Sequence, residues 1–116
     1  MSQVEMFGIP HCDTIKKARK WLMAQGIDYQ FHDYKKEGVN RDFLTKWCAA
    51  KGWETLLNRR GTTWRKLPDD LKEDVDEAKA IHLMMENPSM IKRPVLVTSG
   101  GITVGFSPEI YQALFD

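Results

Sequence analysis

The chain has little cysteine, no long hydrophobic run and almost no net charge. Its 116 residues contain two cysteines, Cys12 and Cys48. That is too few for a disulfide-stapled scaffold, and their separation matches neither CxxC nor another metal-ligand spacing. His11, His32 and His82 fall on separate predicted elements at spacings that fit no zinc pattern, so no metal is expected. No apolar stretch approaches the roughly 20 residues of a membrane span. The opening MSQVEMFGIP lacks the basic segment and long apolar core of a signal peptide. The expected compartment is therefore the cytoplasm, where thiols stay reduced. A net charge of +1 gives no whole-molecule attraction for nucleic acid or an anionic membrane, so any anion binding has to come from a local cluster.

What is present has the make-up of an ordinary globular protein, 42% hydrophobic and 28% charged. At this length one compact domain is expected, able to bury about two-thirds of its unfolded surface. Apolar residues 4–9, bounded by Pro10, predict a buried strand. From Thr14 the pattern turns helical, with Ile15, Ala18 and Leu22 at spacings of three and four and Gly26 as a stop. Aromatic-rich residues 27–34 predict a second strand, parallel to the first because a helix joins them. Asn40 caps a second helix that places Phe43, Leu44, Trp47 and Cys48 on one face and ends at Gly52.

Residues 58–67 are polar, basic and aperiodic, and read as a structured loop. After Pro68 a third helix is predicted through Leu71, Val75, Ala78, Ile81 and Met85, as far as Asn87-Pro88. Two alternating runs around Ser99-Gly100-Gly101 predict a hairpin. Ser107 and Pro108 suit the N-cap and first position of a short last helix, residues 109–115. The order βαβ, helical middle (about residues 40–88), ββα predicts an α/β fold with a central mixed sheet.

Cys12 is placed at or just before the first turn of the first helix. Backbone N–H groups there lack partners, and the helix dipole puts about half a positive charge beside the sulfur. Lys16 follows one turn later, and Lys17, Arg19 and Lys20 add to the field. Such surroundings depress a thiol pKa and favour an oxyanion. A free cysteine is also commonly a small buried hydrophobe; the neighbours Pro10, His11 and Asp13 suit a loop better than a core. Cys48 shares a face with Leu44 and Trp47, which favours packing and makes it a poor resolving thiol. His11 adjoins Cys12, but neighbouring residues usually point apart, which weighs against a Cys–His dyad.

Four blocks carry a resemblance across nearly the whole chain: Cys-Asp-Thr-Ile-Lys-Lys-Ala-Arg from Cys12, LLNRRGTTWRKL from Leu56, Lys-Arg-Pro-Val-Leu-Val from Lys92, and GITVGFSPE from Gly101. Together they resemble the arsenate reductase/Spx family, in particular its YffB-like branch. The resemblance implies a thioredoxin-like fold with a helical insertion, and Pro94 as a cis-proline facing an active cysteine. Main chain at Val95 would then pair with a peptide-like thiol substrate.

In the arsenate reductases of this family a cysteine attacks arsenate, arginines cradle the oxyanion, and glutathione attacks the adduct. Cys12 and Arg93 match the nucleophile and one arginine. Asn58 aligns with a second arginine, with Arg59 and Arg60 beside it; Phe106 or Ser107 stands at the third. Gly8 and Ile9 replace a histidine and an asparagine. Removing one charged hydrogen-bonding partner of an anion costs about 1.5–3 kcal/mol, so the resemblance implies a glutathione-dependent thiol/disulfide reductase before an arsenate reductase. Cys12 is the implied catalytic residue, and His11, Lys16, Arg59, Arg60, Arg93, Pro94 and Val95 are the implied ligands of substrate or glutathione. A third implied role is that of an Spx-like regulator that binds RNA polymerase. It would lack the CxxC switch, since Ile15 occupies the second cysteine position. The implied partner is a small thiol or mixed disulfide, acted on by a monomer without direct nucleic-acid or membrane contact.

Overall fold

The computed structural model describes residues 4–115. In chain order the elements are β1 (Glu5–Gly8), α1 (Asp13–Ala24), β2 (Gln30–Asp33), α2 (Tyr34–Glu37), α3 (Arg41–Lys51), α4 (Trp53–Leu56), α5 (Thr62–Arg65), α6 (Asp69–Lys72), α7 (Glu77–Glu86), a 3₁₀ turn (Pro88–Met90), β3 (Val95–Thr98), β4 (Gly101–Val104) and α8 (Pro108–Phe115). They form two compact units, one of residues up to Glu37 and from Arg93 onward, the other spanning Gly38–Lys92.

In the first unit the sheet order is β2-β1-β3-β4. β1 runs parallel to β2, with Phe7 opposite His32, and antiparallel to β3, with Phe7 opposite Val95. β3 and β4 form the hairpin, Val97 opposite Ile102. The spacing that predicts α1 is the one that buries it: Ile15, Ala18 and Leu22 join Met6, Leu96 and Tyr111 in a core with no accessible surface. Gly26 ends this helix at φ 68°, a conformation that costs glycine nothing. α8 starts as predicted, with Ser107 Oγ accepting the Ile110 N–H at 3.1 Å.

The second strand is shorter than the aromatic run predicts, because Asp33 turns the chain. Its carboxylate accepts the Lys35 N–H at 2.9 Å, and the first turn of α2 follows. His32 is held between Glu37 and Glu5, at 2.9 and 3.1 Å.

In the second unit Asn40 caps α3 by accepting the Asp42 N–H at 2.7 Å, and Gly52 closes it at φ 87°. Leu44, Trp47 and Cys48 face inward as predicted, but Phe43 is 42% exposed and stacks on Trp47 from outside, 5.9 Å between centroids. Residues 58–67 include a helical turn, α5, where a loop is predicted. The single helix predicted after Pro68 is broken into α6 and α7. Asp74 takes φ 51° and Asp76 caps α7 by accepting the Lys79 N–H at 2.9 Å, which restarts the helix. The buried face of α7 is accordingly Ala80, Ile81, Leu83 and Met84 rather than Ala78 and Met85. Among the described residues no helix is long and apolar enough to cross a membrane.

Candidate functional site

β1 delivers the chain to Gly8, and a turn closed by the Cys12 N–H to the Ile9 carbonyl (3.2 Å) delivers the sulfur to the start of α1. Cys12 is the N-cap residue, extended at φ −80° and ψ 132°. Its carbonyl accepts the Lys16 N–H at 3.0 Å, the first bond of the helix. Its side chain therefore occupies the place where serine, threonine or aspartate usually satisfies the N–H groups two and three residues on. The sulfur does not close a conventional capping bond, yet those N–H groups still act on its charge.

Partial burial of Cys12 opposes ionisation. It is outweighed by the backbone N–H of Ile15, the Arg93 side chain and the backbone N–H of Thr14, so the thiol pKa falls below its ordinary 9.0. Arg93 combines a side-chain hydrogen bond with direct charge attraction, and both favour the thiolate. Cys12 is also partly exposed.

The sheet brings these groups together. β3 lies beside β1, so Arg93 and Pro94 just before β3 come close to the end of β1. A methyl group added at Gly8 would overlap Ile15 Cδ1 and come 3.7 Å from Arg93 Cβ. The Arg93–Pro94 peptide bond is cis and Pro94 is buried. β3 is an inner strand, with Val95 paired between Phe7 and Val104. Val95 therefore lies inside the ladder, between β1 and β4. His11 and Lys16 are exposed.

Arg59 and Arg60 belong to the other unit. With Glu54, Leu57 and Lys92 they line an open cavity of about 300 Å³. Its frame is an isolated bridge between Leu57 and Ile91, flanked by Lys92 N–H to Leu56 C=O and Asn58 N–H to Met90 C=O, both 2.7 Å. The Arg59 guanidinium sits 5.8 Å from the Trp53 ring centroid. Asn58 has a structural task, accepting the Arg60 N–H at 3.1 Å. So do the residues at the third arginine position: Ser107 caps α8, and Phe106 packs edge-on against Tyr111 at 4.7 Å. Ile15, at the second cysteine position of a CxxC, has no accessible surface.

Cys48 is buried in the last turns of α3, and burial followed by the charge of Glu77 pushes its thiol up to about 11. Among the described residues no group of three His, Cys, Asp or Glu is placed to hold a metal ion. Sequence reasoning overlooked the individual N–H groups of Thr14 and Ile15. Counting two and three residues on from Cys12 as N-cap identifies both.

The chain is similar along most of its length to several known proteins. The solved structure of a YffB protein superposes with a TM-score of 0.93 at 55% identity, covering 95% of this chain and 96% of that one. An uncharacterised protein of Haemophilus influenzae is 41% identical over 97% of this chain and 98% of its own length. The global transcriptional regulator Spx of Streptococcus pyogenes is 29% identical over 95% of this chain and 83% of its own. The fold is thioredoxin-like, shared at a distance with glutaredoxin. The model of the ArsC family matches residues 7–114, and the chain belongs to that family.

Proposed function

We propose that the protein is a glutathione-dependent thiol–disulfide reductase of the cytoplasm that works through Cys12 alone. The observation that carries this reading is the placement of a partly exposed sulfur as the N-cap of α1, with the Thr14 and Ile15 N–H groups and the Arg93 side chain acting on it.

The substrate is a mixed disulfide, R–S–S–G, where G–S is glutathione. The Cys12 thiolate attacks the glutathione sulfur, so that a new S–S bond joins Cys12 to glutathione, the S–S bond of the substrate breaks, and R–S⁻ leaves and takes a proton from water. A glutathione thiolate then attacks the glutathione sulfur of the adduct, and oxidised glutathione departs with Cys12 expelled as thiolate. The balance is R–S–S–G plus glutathione giving R–SH plus oxidised glutathione. A thiol of lowered pKa is the better leaving group in the second step. The adduct needs no second cysteine, and the position of one is filled by buried Ile15. Arg93, His11, Lys16 and the main chain near Pro94 hold glutathione near the sulfur, with the Arg93 guanidinium suited to its carboxylates. Arsenate fits less well. Gly8 and Ile9 contribute no polar side chain, and Ser107 and Phe106 are taken up by capping and packing.

The test is glutathione-dependent reduction of the mixed disulfide of glutathione and 2-mercaptoethanol. Cys12→Ser is expected to abolish turnover and Cys48→Ser to keep most of it. Activity surviving in Cys12→Ser, or lost only in Cys48→Ser, would end the proposal.

A further inference from the structure

Cys12 does not stand alone on its face of α1. Lys16, Arg19, Lys20 and Met23 follow at intervals of four, seven, eight and eleven residues, which a period of 3.6 sets along one side of the helix. Lys16, Arg19, Lys20, Met23 and Ala24 line an open groove of about 560 Å³. Its chemistry is mixed in a specific way. Met23 is 73% exposed, more than any other large hydrophobic side chain among the described residues. Lys16 and Lys20 form no ion pair among the described residues. Arg19 is anchored, its Nε donating to Tyr29 Oη at 2.9 Å and its guanidinium 4.6 Å from the Phe31 centroid. α1 carries four basic residues and only Asp13 as an acid, in a chain whose net charge is +1. Positive charge is concentrated here and balanced elsewhere.

We infer that this groove is a docking track for an acidic polypeptide segment carrying an apolar anchor, which presents a modified cysteine to Cys12. The inference rests on the thiol chemistry proposed above and assigns its substrate class: glutathionylated or disulfide-bonded acidic proteins rather than small disulfides alone. Charge complementarity selects the occupant. Three cations along one wall attract carboxylates, and the exposed methionine one turn beyond them offers an adaptable apolar contact. From Lys16 to Ala24 the helix rises about 12 Å, the span of roughly four extended residues. That is more than a mixed disulfide of two small thiols needs. Lys16 lines the groove and donates its N–H to the Cys12 carbonyl at 3.0 Å, so a chain seated in the groove has one end a helical turn from Cys12.

The probe is a twelve-residue peptide rich in glutamate and leucine with one glutathionylated cysteine. It is compared with the same peptide bearing glutamine for glutamate, and with the mixed disulfide of cysteine and glutathione. The acidic peptide is expected to show kcat/KM about tenfold above the glutamine peptide, with the advantage shrinking as salt rises. Lys20→Glu and Met23→Asp, both at exposed positions, should each remove most of that advantage and leave the small disulfide unchanged. The exposed control Lys51→Glu should change neither. Equal kcat/KM for the two peptides, or an advantage untouched by Lys20→Glu and Met23→Asp, overturns the docking track. Binding of the peptide with serine for cysteine, read by fluorescence anisotropy on Cys12→Ser protein, separates the two claims. Salt-sensitive binding without turnover of any disulfide keeps the track and removes the reductase; turnover of the small disulfide without peptide binding does the reverse. Binding to phosphatidylserine vesicles in place of the peptide also overturns it.

Discussion

Cys12 and Cys48 are the same chemical group at opposite ends of two helices. Cys12 precedes the first turn of α1, partly exposed, with backbone N–H groups and Arg93 turned toward it. Cys48 lies in the last turns of α3, buried beside Leu44 and Trp47, with Glu77 the charge that acts on it. Both are desolvated to some degree, and desolvation raises both pKa values. The difference is what acts beside it: hydrogen-bond donors and a cation outweigh it at Cys12, whereas a carboxylate adds to it at Cys48. Burial alone does not decide the reactivity of a thiol.

The largest expected consequence is in alkylation. At neutral pH a thiol held at about 11 is ionised roughly a hundredfold less than one at 9.0, and Cys12 lies below 9.0. The lower nucleophilicity of a more acidic thiolate returns about one decade. Iodoacetamide should therefore modify Cys12 more than about tenfold faster than Cys48, with mass spectrometry reporting both sites. Comparable rates would erase the contrast.

Next comes stability. Cys48→Ser places a hydroxyl in an apolar setting and should cost about 1–3 kcal/mol. Cys12→Ser puts a favoured N-cap residue at a helix start and should be neutral or slightly stabilising. Paired denaturant titrations check both signs. The smallest effect belongs to Arg93→Ala. It should move the midpoint of the Cys12 alkylation profile upward and slow the reaction at pH 7 by about three- to tenfold, since it removes one charged hydrogen bond in a partly solvated site. The Cys48 profile should not move.

The two regions also differ in how far the sequence disclosed them. The βαβ opening, the hairpin and the caps at Asn40 and Ser107 each rest on local signals, a period or a single capping side chain, and these appear in the structure. The interruption between α6 and α7 was hidden because apolar residues keep helical spacing across it. The restart depends on Asp74 adopting φ 51° and Asp76 turning its carboxylate to the Lys79 N–H. α2 and α5, four residues each, are too short to show a period. Phe43 sits at the margin of the inner face of α3, where a helical wheel cannot separate packed from exposed.

For the candidate site, helix geometry brought out the environment of Cys12, but nothing local pointed to Arg93. Its position beside the sulfur follows from the pairing of β1 with β3, between segments far apart in the chain. The family resemblance supplied it instead.

The close fit of Gly8 against Ile15 constrains how this protein can vary. A lone change at position 8 drives a new atom into a side chain that has no accessible surface, while a lone change of Ile15 to something smaller hollows the core. Recovering a polar neighbour for the sulfur at that point takes two coordinated substitutions, each unfavourable by itself. A side chain at position 8 is therefore accommodated only where Ile15 gives way to it.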